Sequence, residues 1–147
     1  MAPMIVLAVV TLLAAALKPW RDATRVGLIA MFLFTATAHF TATRHDLAAM
    51  IPPPLTGAMG LIYLTGLLEI AGAAGLAVPR VRKLAATGLV LLLIALFPAN
   101  VYAALHAVPL RGSAPTPLWL RAPMQILWIA LLWWTSIRSS NARAAAH

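Results

Sequence analysis

GAMGLIYLTGLLEIAGAAGLAV, residues 57–78, decides the fold. Its one Asp, Glu, Lys or Arg is Glu69, and it ends at Pro79-Arg80. As a helix it would rise ~33 Å, the thickness of a bilayer's hydrocarbon core. Outward from it lie apolar runs of the same kind. Leu84 to about Ala107 and Leu118 to Ile137 follow, the last stopping at Arg138. Val26 to about Thr41 precedes, slightly short but sufficient. Pro3 to Leu17 comes first, marginal at ~22 Å, and stops at Lys18-Pro19-Trp20-Arg21.

Composition agrees. Of 147 residues, 63% are hydrophobic and 10% charged, with a mean hydropathy of +0.92. Soluble domains carry about 25% charged residues, because water must be met by polar side chains. So few charges imply that lipid solvates most of the surface. The net charge of +8 comes from 11 Lys and Arg against Asp22, Asp46 and Glu69. The basic residues lie between apolar runs rather than along one stripe, which points to anionic lipid headgroups and away from nucleic acid. With no cysteine, the chain has no disulfide, thiolate metal site, iron–sulfur cluster or thiol redox chemistry of its own.

The first run could be a signal peptide, since it contains Ala14-Ala15-Ala16. It lacks a basic n-region, however, and cleavage would leave Lys18, Arg21 and Arg25 on the outer side. A retained helix is expected. Alternate connections then hold Lys18, Arg21, Arg25, Arg80, Arg82, Lys83, Arg138 and Arg143 on one side, and Arg44, Arg111 and Arg121 on the other. The positive-inside rule places the first set in the cytoplasm, with the N-terminus outside. Trp20, Trp119, Trp128, Trp133 and Trp134 fall mostly near run ends, as interfacial anchors would.

Two outer connections stand apart. TRHDLAAMIPPPLT, residues 43–56, is expected to form a short helical turn in the interface followed by an extended proline segment. VPLRGSAPTP, residues 108–117, has turn composition. No internal repeat is present.

Ionisable groups at membrane depth mark function by default. Glu69 must face the interior, be paired or hold a proton. His39, Tyr63, Asn100 and Gln125 lie on four different runs. Tyr63, Asn100 and Gln125 all fall ~9–11 Å below the outer boundary, and His39 is close to it. Lipid-facing placement would leave these groups unsatisfied, so they should converge on one pocket with Glu69 beneath them. A hydrogen-bond network that only fixes packing is the competing reading. Pro98, beside Asn100, removes a backbone bond and can open a cavity. His39, His45 and His106 raise a haem or metal reading. A two-histidine haem needs both rings aimed at one plane, and an interfacial histidine is the commoner case. No metal site is expected.

The stretches FTATAHF (34–40), HDLAAMIPPPLTG (45–57), IYLTGLLEIAGAAGL (62–76), LFPANVYAAL (96–105) and PLWLRAPMQILWIALLWW (117–134) resemble the DoxX-like family of small bacterial membrane proteins. The resemblance implies an all-α, polytopic four-helix membrane bundle over residues 26–138. Residues 1–25 would add an N-terminal transmembrane helix and a basic connection, and 139–147 a short cytoplasmic tail. His39, Pro52, Pro53, Glu69, Pro98, Asn100 and Gln125 fall on the family's characteristic positions. The bacterial inner membrane is the implied location. The implied function is that of an accessory or subunit in a quinone-coupled redox or oxidative-stress system, with quinone as the candidate cofactor and a membrane or redox protein as partner. Function transfers weakly across a shared fold. A non-enzymatic binder or transporter of a small lipophilic molecule, or a structural assembly factor, stands beside it. Oligomeric state and catalytic activity are not legible in the sequence.

Overall fold

The computed structural model describes residues 2–55 and 58–138. The expected tail at 139–147 therefore lies outside the described residues, Arg143 with it. The described chain is helical. It contains α1 (Ala2–Ala15), α2 (Trp20–Phe40), α3 (Arg44–Ala49), α4 (Met59–Ala77), α5 (Arg82–Leu105) and α6 (Leu118–Leu132). A π-helical turn, Trp133–Ile137, continues α6. Among the described residues no strand forms, and Leu110 and Ser113 share one isolated bridge. Three helices, α2, α4 and α5, are long and apolar enough to cross a membrane.

Prolines set the boundaries. Pro19 (φ −53°) and Pro117 (φ −57°) stand immediately before α2 and α6, where the fixed ring torsion directs the chain into the first turn. Val78, ahead of Pro79, is extended at φ −93°, ψ 114° and ends α4, because a proline ring disfavours the helical region for the residue before it.

One boundary differs from the sequence reading. Residues 18–25 were expected to form a connection, yet α2 begins at Trp20, so the division at 25/26 falls inside a helix. The reason lies in what the basic side chains bind. Arg21 donates to the Trp134 carbonyl, and Arg25 to the Thr135 carbonyl at 2.7 Å. Arg25 also pairs with Asp22 one turn back at 2.7 Å. The Arg21 guanidinium lies over the Trp134 ring, 5.8 Å from its centroid. Two cations thus occupy the carbonyl-rich end of the α6–π segment, where positive charge is stabilised.

These contacts also fix direction. The ends of α1 and α4, the starts of α2 and α5, and the π turn gather at one end with Lys18, Arg21, Arg25, Arg80, Arg82, Lys83 and Arg138. The start of α1, α3, and the loop after α5 gather at the other. Around the molecule α2 packs on α1 and α4, α4 on α5, α5 on α6 and its π turn, and these return to α2. Where α1 meets α2, a Cβ on Gly27 would fall 2.1 Å from Thr11 Oγ1 and 2.8 Å from the Leu7 carbonyl. Only glycine admits that approach, a small-residue contact usual between membrane helices.

The larger apolar core fills the basic half, with Leu7 of α1, Leu28, Met31 and Phe32 of α2, Ala73 and Leu76 of α4, Ala86, Leu89 and Leu93 of α5, then Leu132 and Ile137. A smaller cluster, Ala48, Ile51 and Ile62, joins α3 to the start of α4 at the other end. Outward-facing positions are apolar too: Leu84 is 74% exposed, Ile126 67% and Leu91 61%. A chain dissolved in water does not present so continuous an apolar exterior, so this surface fits a lipid solvent. The other half of the helices encloses a hollow.

Candidate functional site

That hollow is a cavity of about 660 Å³, in the size range of small-molecule sites. α2 lines it with Phe34, Thr35, Ala38 and His39, and α4 with Leu61, Ile62, Thr65 and Glu69. Leu93, Leu96, Ala99 and Asn100 come from α5, and Arg121, Gln125 and Trp128 from α6. Ala2 and Pro3 of α1 touch it, and Leu47, Met50, Ile51 and Pro52 of the α3 segment close over it. Most of this wall is apolar, and its polar groups are few and on different helices.

Glu69 is buried at 7% exposure. Thr35 Oγ1 donates to its Oε2 at 2.9 Å. His39 Nε2 stands 3.9 Å from the same oxygen, beyond hydrogen-bond range but in direct electrostatic reach. The other ring nitrogen, Nδ1, lies 2.8 Å from the Ile62 carbonyl and 3.2 Å from Thr65 Oγ1. A carbonyl can only accept, so Nδ1 carries the proton, and Nε2 is left to face Glu69 as lone pair or second N–H. Gly66 makes this seat possible: a Cβ there would fall 2.6 Å from His39 Cβ. Any side chain at 66 would drive α2 from α4 and pull the histidine off its carbonyl.

The opposite wall is tied by side chains of α6. Gln125 Nε2 donates to the Leu93 carbonyl at 3.0 Å, close to where Pro98 lacks an N–H and crowds the preceding turn. Arg121 Nη1 donates to Asn100 Oδ1. Trp128 Nε1 donates to Met4 Sδ at 3.2 Å, joining α6 to α1 at the cavity's edge.

Two loops meet over the mouth. Leu110-Arg111-Gly112-Ser113 forms a tight turn with φ 55° at Arg111 and 70° at Gly112, the signature of type I′. Within it Ser113 N–H donates to the Leu110 carbonyl at 3.1 Å. Arg111 N–H donates to Asp46 Oδ2 at 2.8 Å, and its Nε–H to Thr43 Oγ1 at 3.2 Å. The α3 loop and the 108–117 loop are thereby fastened together.

Of the five residues singled out from sequence, His39, Glu69, Asn100 and Gln125 line this cavity. Tyr63 does not. It is 38% exposed on the outside of α4, its ring 6.0 Å from that of Phe40. Depth alone suggested Tyr63, but along a helix it is rotated about 120° from Glu69. His106 is exposed and stacked on Tyr102, with centroids 4.0 Å apart. Neither it nor His45 reaches the cavity, so among the described residues no pair of histidines faces a common plane there. Among the described residues no group of three or more His, Cys, Asp or Glu could hold a metal ion. Thr35, Thr65 and Arg121 were missed, and helical spacing would have found them. Each lies four residues from a residue already chosen: Thr35 from His39, Thr65 from Glu69 and Arg121 from Gln125.

Residues 28–136, the stretch that carries every polar group of the cavity, match a protein family described as a domain of unknown function (DUF8561). The chain belongs to this family. The match begins within α2 and ends within the π turn, so α1 lies outside it. No curated protein and no solved structure matches the chain.

Proposed function

We propose that this DUF8561 protein is a multi-pass membrane protein that binds a small lipophilic molecule in the cavity between α2, α4, α5 and α6. In this reading those four helices form a membrane bundle, α1 crosses beside them, and the basic end faces the cytoplasm. The N-terminus and the cavity then lie toward the outer side of a bacterial inner membrane. The observation that carries the proposal is the wall itself. An apolar space of about 660 Å³ with His39, Glu69 and Asn100 on three helices and Arg121 and Gln125 on a fourth gives a lipophile room for its body and a few fixed points for its head.

The DoxX-like resemblance adds a chemical class, a quinone, and a setting, an accessory role to a redox partner in the membrane. Reduction of a quinone takes two electrons and two protons. Electrons would come from the partner, while Glu69 and His39 sit where a proton donor is needed. Trp128 on the cavity wall supplies the test. Titration of the purified protein with a short-chain quinone should quench its tryptophan fluorescence saturably, and less so in Trp128→Phe. Membranes of a deletion strain should reduce quinone more slowly. No saturable quenching together with an unchanged reduction rate would remove the redox role.

A second reading, a non-enzymatic binder or transporter, is favoured by the loop closure over the mouth. The Asp46–Arg111 contact at 2.8 Å would be the point that opens to admit a ligand. Uptake of a lipophile that depends on Glu69, with quinone reduction unaffected, would select it.

A further inference from the structure

The sequence holds three side-chain carboxylates, Asp22, Asp46 and Glu69. Each has a partner other than Arg121. Asp22 pairs with Arg25 at 2.7 Å, and Asp46 accepts from the Arg111 backbone N–H at 2.8 Å. Glu69 accepts from Thr35 at 2.9 Å and faces His39. Arg121 lines the cavity and is partly buried. Its protein partner is the neutral amide oxygen of Asn100. A guanidinium has five N–H donors and stays charged. Held in an apolar wall one turn inside the start of α6, it is stabilised by a negative partner, and no side-chain carboxylate of the protein remains to provide one.

The geometry points to the ligand as that partner: an amphiphile with an oxyanion head, carboxylate or phosphate, bound by Arg121 with Asn100, its apolar tail running along Leu96, Leu93 and Phe34. Asn100 turns the guanidinium and leaves its remaining donors for the ligand. Leu93 lies ~10 Å further along α5, a length that a chain of about eight to ten carbons spans. The inference rests on the lipophile-binding reading and adds the sign of the ligand's charge.

Three ten-carbon probes separate the possibilities: decanoate, decyl phosphate and decanol. Their binding is measured by calorimetry on full-length protein in nanodiscs of zwitterionic lipid at neutral pH. At least one anion should bind about tenfold more tightly than decanol, and the anion preferred identifies the head as carboxylate or phosphate. In Arg121→Gln the preference should fall to within about twofold, through loss of anion affinity. Arg121→Lys should keep part of it, which guards against a folding defect in the glutamine variant. Decanol binding as well as both anions, or a preference that survives Arg121→Gln, overturns the inference and leaves lipophile binding standing. Binding of none of the three overturns both.

Discussion

At the scale of single residues, Glu69 carries the most specific expectation. Its carboxylate accepts one hydrogen bond, from Thr35, and a glutamine oxygen can accept the same bond. Glu69→Gln should therefore fold normally, with a thermal midpoint in detergent within a few degrees of wild type, while affinity for the cavity's lipophile falls about tenfold. Unchanged affinity would make Glu69 a packing residue. Much of this site was legible in advance, because an ionisable or amide group inside an apolar run has few tolerable places to go. Glu69, His39, Asn100 and Gln125 obeyed that logic. Tyr63 did not, because a tyrosine can lie at a helix surface, with the ring against Phe40 and the hydroxyl outward. α4 is apolar all round and shows no stripe to tell its inner face from its outer one, so rotation about its axis was hidden until Glu69 and Thr65 defined it.

At the scale of elements, the ends of α2 and α6 depend on Arg25. It is 8% exposed and holds both Asp22 and the Thr135 carbonyl. Arg25→Gln should cost about 1–3 kcal/mol, since the Thr135 carbonyl and the Asp22 carboxylate each lose a charge-assisted hydrogen bond. The loss should register as a lower midpoint on thermal unfolding in detergent, without a change in ligand affinity. An unaltered midpoint would mean that the π turn is held by other contacts. Proline positions had revealed where most helices stop. The early start of α2 was hidden because Lys18, Arg21 and Arg25 read as a basic loop, whereas two of them reach across to carbonyls more than 100 residues away. At the opposite end, Asp46→Ala removes the shorter of the two hydrogen bonds that fasten the 108–117 loop. Ligand dissociation, followed by stopped-flow fluorescence, should quicken several-fold, with a smaller change in equilibrium affinity because opening speeds entry as well. A dissociation rate equal to wild type would show that the loops do not gate the cavity.

At the scale of the whole molecule, the two ends differ in charge and in filling. The basic end is packed with apolar side chains, and the other holds the cavity under its loops. The all-helical architecture followed from hydropathy, and α2, α4 and α5 are long and apolar enough to span, since apolar length is a direct physical requirement for crossing a bilayer. The uneven filling did not, because it depends on which side chains meet and not on how many are apolar. Orientation is testable without background, since the chain has no cysteine. In intact cells Ser113→Cys should react with a membrane-impermeant maleimide, and Arg80→Cys only after permeabilisation. The reverse pattern would invert the topology and place the cavity on the cytoplasmic side.

The most direct trial of the account is mass spectrometry of small molecules extracted from the purified protein, compared with Ala99→Phe, which places a phenyl ring in the cavity wall. The account predicts a lipophilic compound in near-stoichiometric amount with wild type and strongly depleted from the variant. Equal recovery of the same compounds from both proteins would contradict it.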